Sequence, residues 1–228
     1  MTFYMPTNEP EDWKKGTAGQ DNHWKVGYST YALAHSWEDA KGFPAEVQAA
    51  FTGTIFDGCE FLLGLPEHKV PMPASSRGDS QNDIFVLAKT VSGEIVSMTV
   101  EGKVAESFNE RLSTWNSGSA VKTERLHGIL DIIGLPYDIP DTIRYQLLHR
   151  TASAVLEVQR FNAQYALMLV HSFSQTDEHF ADYEAFVTLY GTQNIEVGQM
   201  VKLTTVHDID LYTAWVRGDE RYLQASEK

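Results

Sequence analysis

The chain has 228 residues, 43% of them hydrophobic, with 31 acidic against 18 basic side chains and a net charge of −13. This excludes a disordered chain, a collagen-like repeat and a disulfide scaffold, and it suits one domain over 1–228 with a substantial core. The lone Cys59, the absence of a bilayer-length apolar run and the lack of a secretory signal in 1–12 give a cytoplasmic expectation with no membrane partner.

Residues 1–24 mix Pro, Asn, Gly and charge without a period and read as an irregular arm. A helix is expected over 29–41. Pro44 then suits the first turn of a second helix reaching residue 51. Gly64, Pro66, Pro71 and Pro73 punctuate the next stretch, leaving room for only a short strand near 69–72. A polar turn over 77–82 leads into a buried strand, Asp83-Ile-Phe-Val-Leu-Ala88. Residues 95–104 alternate: Val96, Met98, Val100, Gly102 and Val104 share one face, and Ile95, Ser97, Thr99, Glu101 and Lys103 share the other. Helices are expected at 106–115 and 122–133, the second ending at Gly134. A long helix over 141–160 follows, with Asp141 as N-cap and an apolar stripe of Ile143, Leu147, Leu148, Ala152, Val155 and Leu156. Residues 165–172 form a buried strand, and an acidic helix covers about 177–189.

The hairpin between the two central strands decides whether a site exists. With Val91-Ser92-Gly93 as a three-residue loop, Thr90 faces Glu94 and the register places Asp83 opposite Glu101. A two-residue loop would put Asp83 on the wrong face. Lys103, two residues beyond Glu101 on the strand, projects to the same side as Glu101. Two neighbouring carboxylates repel unless a cation or a proton lies between them, and hard oxygen ligands suit Mg²⁺ or Mn²⁺. A metal there would acidify a water, with Lys103 beside it. Because this arrangement is expected at a solvent-accessible sheet edge, Glu101→Gln and Lys103→Ala are expected to abolish activity and leave folding nearly intact.

Asp83 at the head of a strand, a hairpin, and then Glu101-Gly-Lys103 resembles the PD-(D/E)XK nuclease superfamily, the restriction-endonuclease-like fold. The stretches Ser80-Gln-Asn-Asp83, Val100-Glu-Gly-Lys-Val104 and Arg144-Tyr-Gln-Leu-Leu-His-Arg150 also resemble uncharacterised bacterial members. The resemblance covers about 44–172. It implies an α/β (α+β) αβββαβ core, a central mixed sheet flanked by helices, with additional N- and C-terminal segments. It implies a Mg²⁺- or Mn²⁺-dependent phosphodiesterase acting on DNA, with Asp83 and Glu101 as ligands and Lys103 beside the attacking water. Glu46 on the first helix is the third ligand by this likeness, with Glu60 and Glu38 as alternatives. Gln146 and Arg150 are the expected substrate-facing residues on the long helix. The chain departs from the pattern in two places. Asn82 stands where the family name has proline, and Gln146 is followed four residues later by Arg150, where some relatives have tyrosine.

Bland readings stand beside these. Gln146, Arg150, Ser153, Glu157 and Arg160 form a polar helix face that either tracks phosphates or is simply solvated. Trp13, Trp24 and Trp37 either stack on bases or pack in the core. The eight histidines lack zinc-ligand spacing, and no nucleophile elbow or phosphate loop occurs. Net charge is −5 over 1–60, −1 over 61–100, −1 over 101–160 and −6 over 161–228. Acidic flanks thus surround a nearly neutral centre, which keeps nucleic acid open there and also motivates an alternative, a catalytically silent binding or regulatory protein. An acidic DNA mimic is a more distant reading, and a homodimer or a partner subunit is left open.

Overall fold

The computed structural model describes residues 7–16, 24–74 and 78–224. In chain order the strands are β1 (Glu60–Val70), β2 (Ser80–Lys89), β3 (Ile95–Lys103), β4 (Tyr165–Ser172), β5 (Met200–Val206) and β6 (Ile209–Arg217). The helices are α1 (Ser29–Ala40), α2 (Ala45–Phe51), α3 (Leu112–Asn116), α4 (Ala120–Ile133), α5 (Tyr145–Phe161) and α6 (Phe180–Thr188). All six strands form one mixed sheet in the order β1-β2-β3-β4-β6-β5. The β1–β2, β2–β3 and β5–β6 pairs are antiparallel, whereas β3–β4 and β4–β6 are parallel. The protein is therefore α+β, with helices on both faces of a mixed sheet.

Each face has its own core. On one side α4, α5 and α6 bring Ile129, Leu130, Leu147, Leu148, Val155 and Phe186 against Met168, Val170 and Trp215. On the other, α1 and α2 bring Leu33, Trp37, Val47 and Phe51 against Val86, Met98, Val100 and Leu169. Each fully buried Leu, Ile or Phe of this kind contributes about 1.5–3 kcal/mol. β4 lies between two parallel neighbours with both faces covered, which is why its sequence is an unbroken apolar run where a half-exposed strand would alternate.

Three expectations need correction. The short strand near 69–72 is the last part of an eleven-residue strand that runs through Gly64 and Pro66. β1 is a sheet edge, where proline's missing donor is tolerated. The helix expected over 106–115 is only α3. Before it, the Glu106 carboxylate accepts the backbone N–H groups of Ser29 (2.9 Å) and Val104 (2.7 Å), and Asn109 is left-handed at φ 54°. The long helix begins at Tyr145, not at 141, because the Asp141 and Ile143 carbonyls accept N–H groups of Ser113 and Leu112 and make a turn there. The additional C-terminal segment expected beyond 172 is part of the sheet. The β5–β6 hairpin adds two strands, and β6 pairs with β4 along its whole length.

The expected arm, 1–24, lies partly outside the described residues. Within it, Pro10–Lys15 forms a 3-10 turn that buries Trp13. Of the turn expected over 77–82, residue 77 lies outside the described residues, and Ser80–Asn82 already belong to β2. Among the described residues no helix is long and apolar enough to cross a membrane.

Candidate functional site

The β2–β3 hairpin has the odd loop. Thr90 N–H donates to the Glu94 carbonyl at 2.9 Å, Gly93 is left-handed at φ 103°, and the ladder runs from Lys89↔Ile95 to Ile84↔Val100. One step further in the same register, Asp83 stands opposite Glu101. There the two strands part, since β2 continues beside β1 to Ser80 while β3 continues beside β4 to Lys103. The Asp83 carboxylate closes this fork by accepting the Gly102 N–H at 2.7 Å. A side chain thus takes over where the β2–β3 ladder stops.

Glu101 and Lys103 face α5, as do their neighbours Ser97 and Thr99, whose hydroxyls donate to the Ala154 and Arg150 carbonyls of that helix. Lys103 Nζ donates to Glu101 Oε1 (2.7 Å) and to Gln146 Oε1 (3.2 Å), and it lies 4.9 Å from the Phe108 ring centroid. Gln146 Nε2 donates to Glu101 Oε1 at 2.7 Å, so its amide is oriented with oxygen toward the ammonium and nitrogen toward the carboxylate. Arg150 Nε forms a salt bridge with Glu101 Oε2, and Arg150 Nη1 donates to Ser80 Oγ at 3.0 Å. Ser80 in turn lies 2.8 Å from His149 Nδ1. Since Arg150 already donates to that hydroxyl, Ser80 donates onward to a neutral imidazole. Burial first, and then the Arg150, Arg125 and Lys103 charges, drive the His149 pKa well below the usual histidine range, which fits this role.

The burial is the surprise. Glu101 is 3% exposed and Lys103 4%, so the pair is not at the solvent-accessible edge expected of it. The polar face of α5 is not solvated either: Gln146, Arg150, Ser153 and Glu157 are all buried against the sheet, and His68 Nε2 of β1 donates to Glu157 at 3.2 Å. Gln146 and Arg150, expected to face substrate, instead face Glu101. Only Arg160, at the end of the helix, is largely outside this interior row.

The two carboxylates respond in opposite directions. Burial pushes the Asp83 carboxyl up to about 8, with the Glu101 charge adding to the effect. Burial also works against ionisation of Glu101, but Arg150 and Lys103 beside it outweigh that cost and hold it below the usual carboxylate range. Glu101 is the ionised member of the pair, and Asp83 is the proton carrier at neutral pH.

Glu46 does not join them. It lies on the opposite side of the sheet, 3.0 Å from His171 Nε2, and the other nitrogen of that ring accepts Trp37 Nε1–H at 3.1 Å. Indole nitrogen only donates, so His171 carries its proton on Nε2, toward Glu46. The alternatives are also engaged elsewhere. Glu38 accepts Trp13 Nε1–H at 2.7 Å, and Glu60 pairs with Lys89 at the far end of the β1–β2 ladder. Glu67 of β1 is the further carboxylate whose charge bears on Asp83. Sequence reasoning missed it because the strand was expected only near 69–72, whereas β1 runs from Glu60 and its register, Pro66↔Ile84 and His68↔Asn82, sets Glu67 opposite Asp83. It missed Ser80, His149 and Phe108 as well, since their roles arise from contacts between distant segments. Trp13 and Trp37 are buried core residues, and Trp24 packs against Tyr31 and His35.

Among the described residues no group of three or more His, Cys, Asp or Glu side chains is arranged to hold a metal ion. The site therefore offers two carboxylates. Of the roughly four acceptor positions on an ionised carboxylate, Glu101 has used two on Oε1 and one on Oε2, and Asp83 has used one. Mg²⁺ and Mn²⁺ take one or two protein carboxylates and complete their shell with water and phosphate, so a metal here would rest on these two carboxyl groups alone.

Fold and site together define an α+β protein with a buried charge cluster at a strand fork. The chain belongs to the family described as Domain of unknown function (DUF6946), whose model matches residues 6–220. No curated protein and no solved structure matches it.

Proposed function

We propose that the protein is a Mg²⁺- or Mn²⁺-dependent nuclease that hydrolyses phosphodiester bonds of DNA at Asp83, Glu101 and Lys103. The observation that carries this reading is the meeting of these three residues, together with Gln146, at one strand fork. Asp83 and Glu101 would hold the metal, which when bound supplies a more acidic water and charge neutralisation at the phosphate. The chain's own part is positional. Glu101, Gln146 and the Phe108 face fix the Lys103 ammonium on three sides, leaving one N–H to orient a water or a phosphate oxygen. Asp83, whose carboxyl is raised to about 8, would have to give up its proton to serve as a ligand.

Asp83→Asn is the variant of choice, because it removes a charge that the fold disfavours. Wild type is expected to cut DNA with Mn²⁺ and not with EDTA, and Asp83→Asn to lose at least a hundredfold in rate while remaining folded. A folded wild-type protein that cuts neither DNA nor RNA with any divalent metal overturns the reading. A second reading, a silent binding protein of the same architecture, is favoured by one observation, the burial of Glu101 under three donors. Nucleic acid bound equally well with and without EDTA, and never cut, would select it.

A further inference from the structure

We infer that Arg150 is the site's internal counter-cation, so that a divalent metal binds appreciably only together with a phosphodiester. The inference rests on the nuclease reading and concerns how that site is regulated. Its starting point is charge balance at the fork. Asp83 and Glu101 supply two carboxyl groups, and Lys103 and Arg150 supply two cations within the same buried cluster. With both carboxyl groups ionised, as a metal would require, the four charges cancel before any metal arrives, and with Asp83 protonated the cluster carries one net positive charge.

Arg150 differs from Lys103 in how it is fixed. Its guanidinium is anchored at both ends, by Nε on Glu101 Oε2 and by Nη1 on Ser80 Oγ, and Ser80 is itself braced by His149. A planar fork fixed in this way cannot swing aside as a lysine stem can. It occupies the Glu101 oxygen that Lys103 and Gln146 leave available, so a divalent ion shared between Asp83 and Glu101 must approach a fixed positive charge. At a few ångströms and a partly screened interior, that repulsion amounts to tens- to hundreds-fold in affinity. A phosphate arriving with the metal restores the balance, because its oxygens complete the metal shell and accept from the guanidinium. The arrangement makes metal and nucleic acid mutually dependent ligands, and by linkage each strengthens the other equally.

The test is Mn²⁺ titration of the full chain, by calorimetry or by the resonance signal of free Mn²⁺. It is run with and without a mixed-sequence DNA duplex carrying phosphorothioate linkages. Wild type is expected to bind Mn²⁺ at least tenfold tighter when the duplex is present. Arg150→Gln is expected to bind Mn²⁺ at least tenfold tighter than wild type without DNA, and to gain less than threefold from the duplex. Arg150→Lys, which keeps the charge but loses the doubly anchored fork, should fall between wild type and Arg150→Gln. If Arg150→Gln does not fold, Ser80→Ala frees only the far end of the guanidinium and should tighten Mn²⁺ binding two- to fivefold. Variants that bind Mn²⁺ no tighter than a wild type that does cleave DNA overturn the inference and leave the nuclease reading standing. No Mn²⁺ binding by any variant, with or without duplex, and no cleavage overturns both.

Discussion

At Glu101 the difference between a surface ion pair and a buried one changes what a mutation means. An exposed Glu–Lys pair contributes about 0–1 kcal/mol, and its loss would leave folding intact. Here Glu101 is the common partner of buried Lys103 and Arg150, so Glu101→Gln strands two cations and should cost about 3–5 kcal/mol. Asp83 behaves in the opposite way. Its carboxyl rises from an ordinary 3.8 to about 8, so the native state holds a proton that the unfolded chain releases. Its favourable contribution is complete below pH 4 and is lost as pH rises through about 8. Asn imitates the protonated form and still accepts the Gly102 N–H. Denaturant unfolding in EDTA should therefore show Glu101→Gln destabilised, and Asp83→Asn gaining on wild type as pH rises from 4 to 8, with the gain largest at the upper end. An Asp83→Asn effect that does not change with pH would show that the carboxyl is ionised in the native state.

Elements with one strong local signal were legible, and those defined by their neighbours were not. β2, β3 and β4 announce themselves by unbroken or alternating apolar runs, and of the two loop lengths the sequence allowed between β2 and β3 the fold has the three-residue one. β1 contains Gly64 and Pro66, and only its edge position allows it to continue past them. The β5–β6 hairpin turns through His207 and Asp208, both left-handed at φ 49° and 62°. A two-residue turn of that hand usually carries Asn-Gly, so the sequence bears no mark of it. Replacing His207-Asp208 by Asn-Gly should stabilise the protein by about 0.5–1 kcal/mol, read as a higher denaturation midpoint. No gain would mean that contacts of His207 or Asp208 outweigh the relief of strain.

For the whole molecule, the C-terminal strands are part of the central sheet. β6 pairs with β4 from Tyr165↔Asp210 to Ser172↔Arg217, and its Trp215 is fully buried between α6 and the sheet. A chain ending at residue 199 would bare one edge of β4 and the apolar face that Trp215 covers, and it should fail to give a cooperative unfolding transition. A cooperative transition in that truncation would show that 44–172 is a self-sufficient core. The same scale qualifies the charge argument. The −13 of the chain lies mostly in its flanks, but the charges that decide the site are those of buried Glu101, Lys103 and Arg150 beside Asp83. Net charge governs how a polyanion approaches, whereas the fork governs what happens to it.

The sequence by itself determined the strand pair and reduced its register to two choices, because periodicity is a local property, and the Thr90–Glu94 pairing in the fold chose the one that brings Asp83 to Glu101. It also carried the apolar stripe of α5, whose Leu147, Leu148, Ala152 and Val155 are buried as the pattern requires. Only the tertiary structure decided which way the polar stripe of that helix points. Gln146 and Arg150 turn inward because Glu101 and Lys103 leave buried charge that must be partnered, a demand that no pattern in either segment alone expresses. Glu46 went to the opposite side of the sheet for the same kind of reason, since His171 was there to receive it.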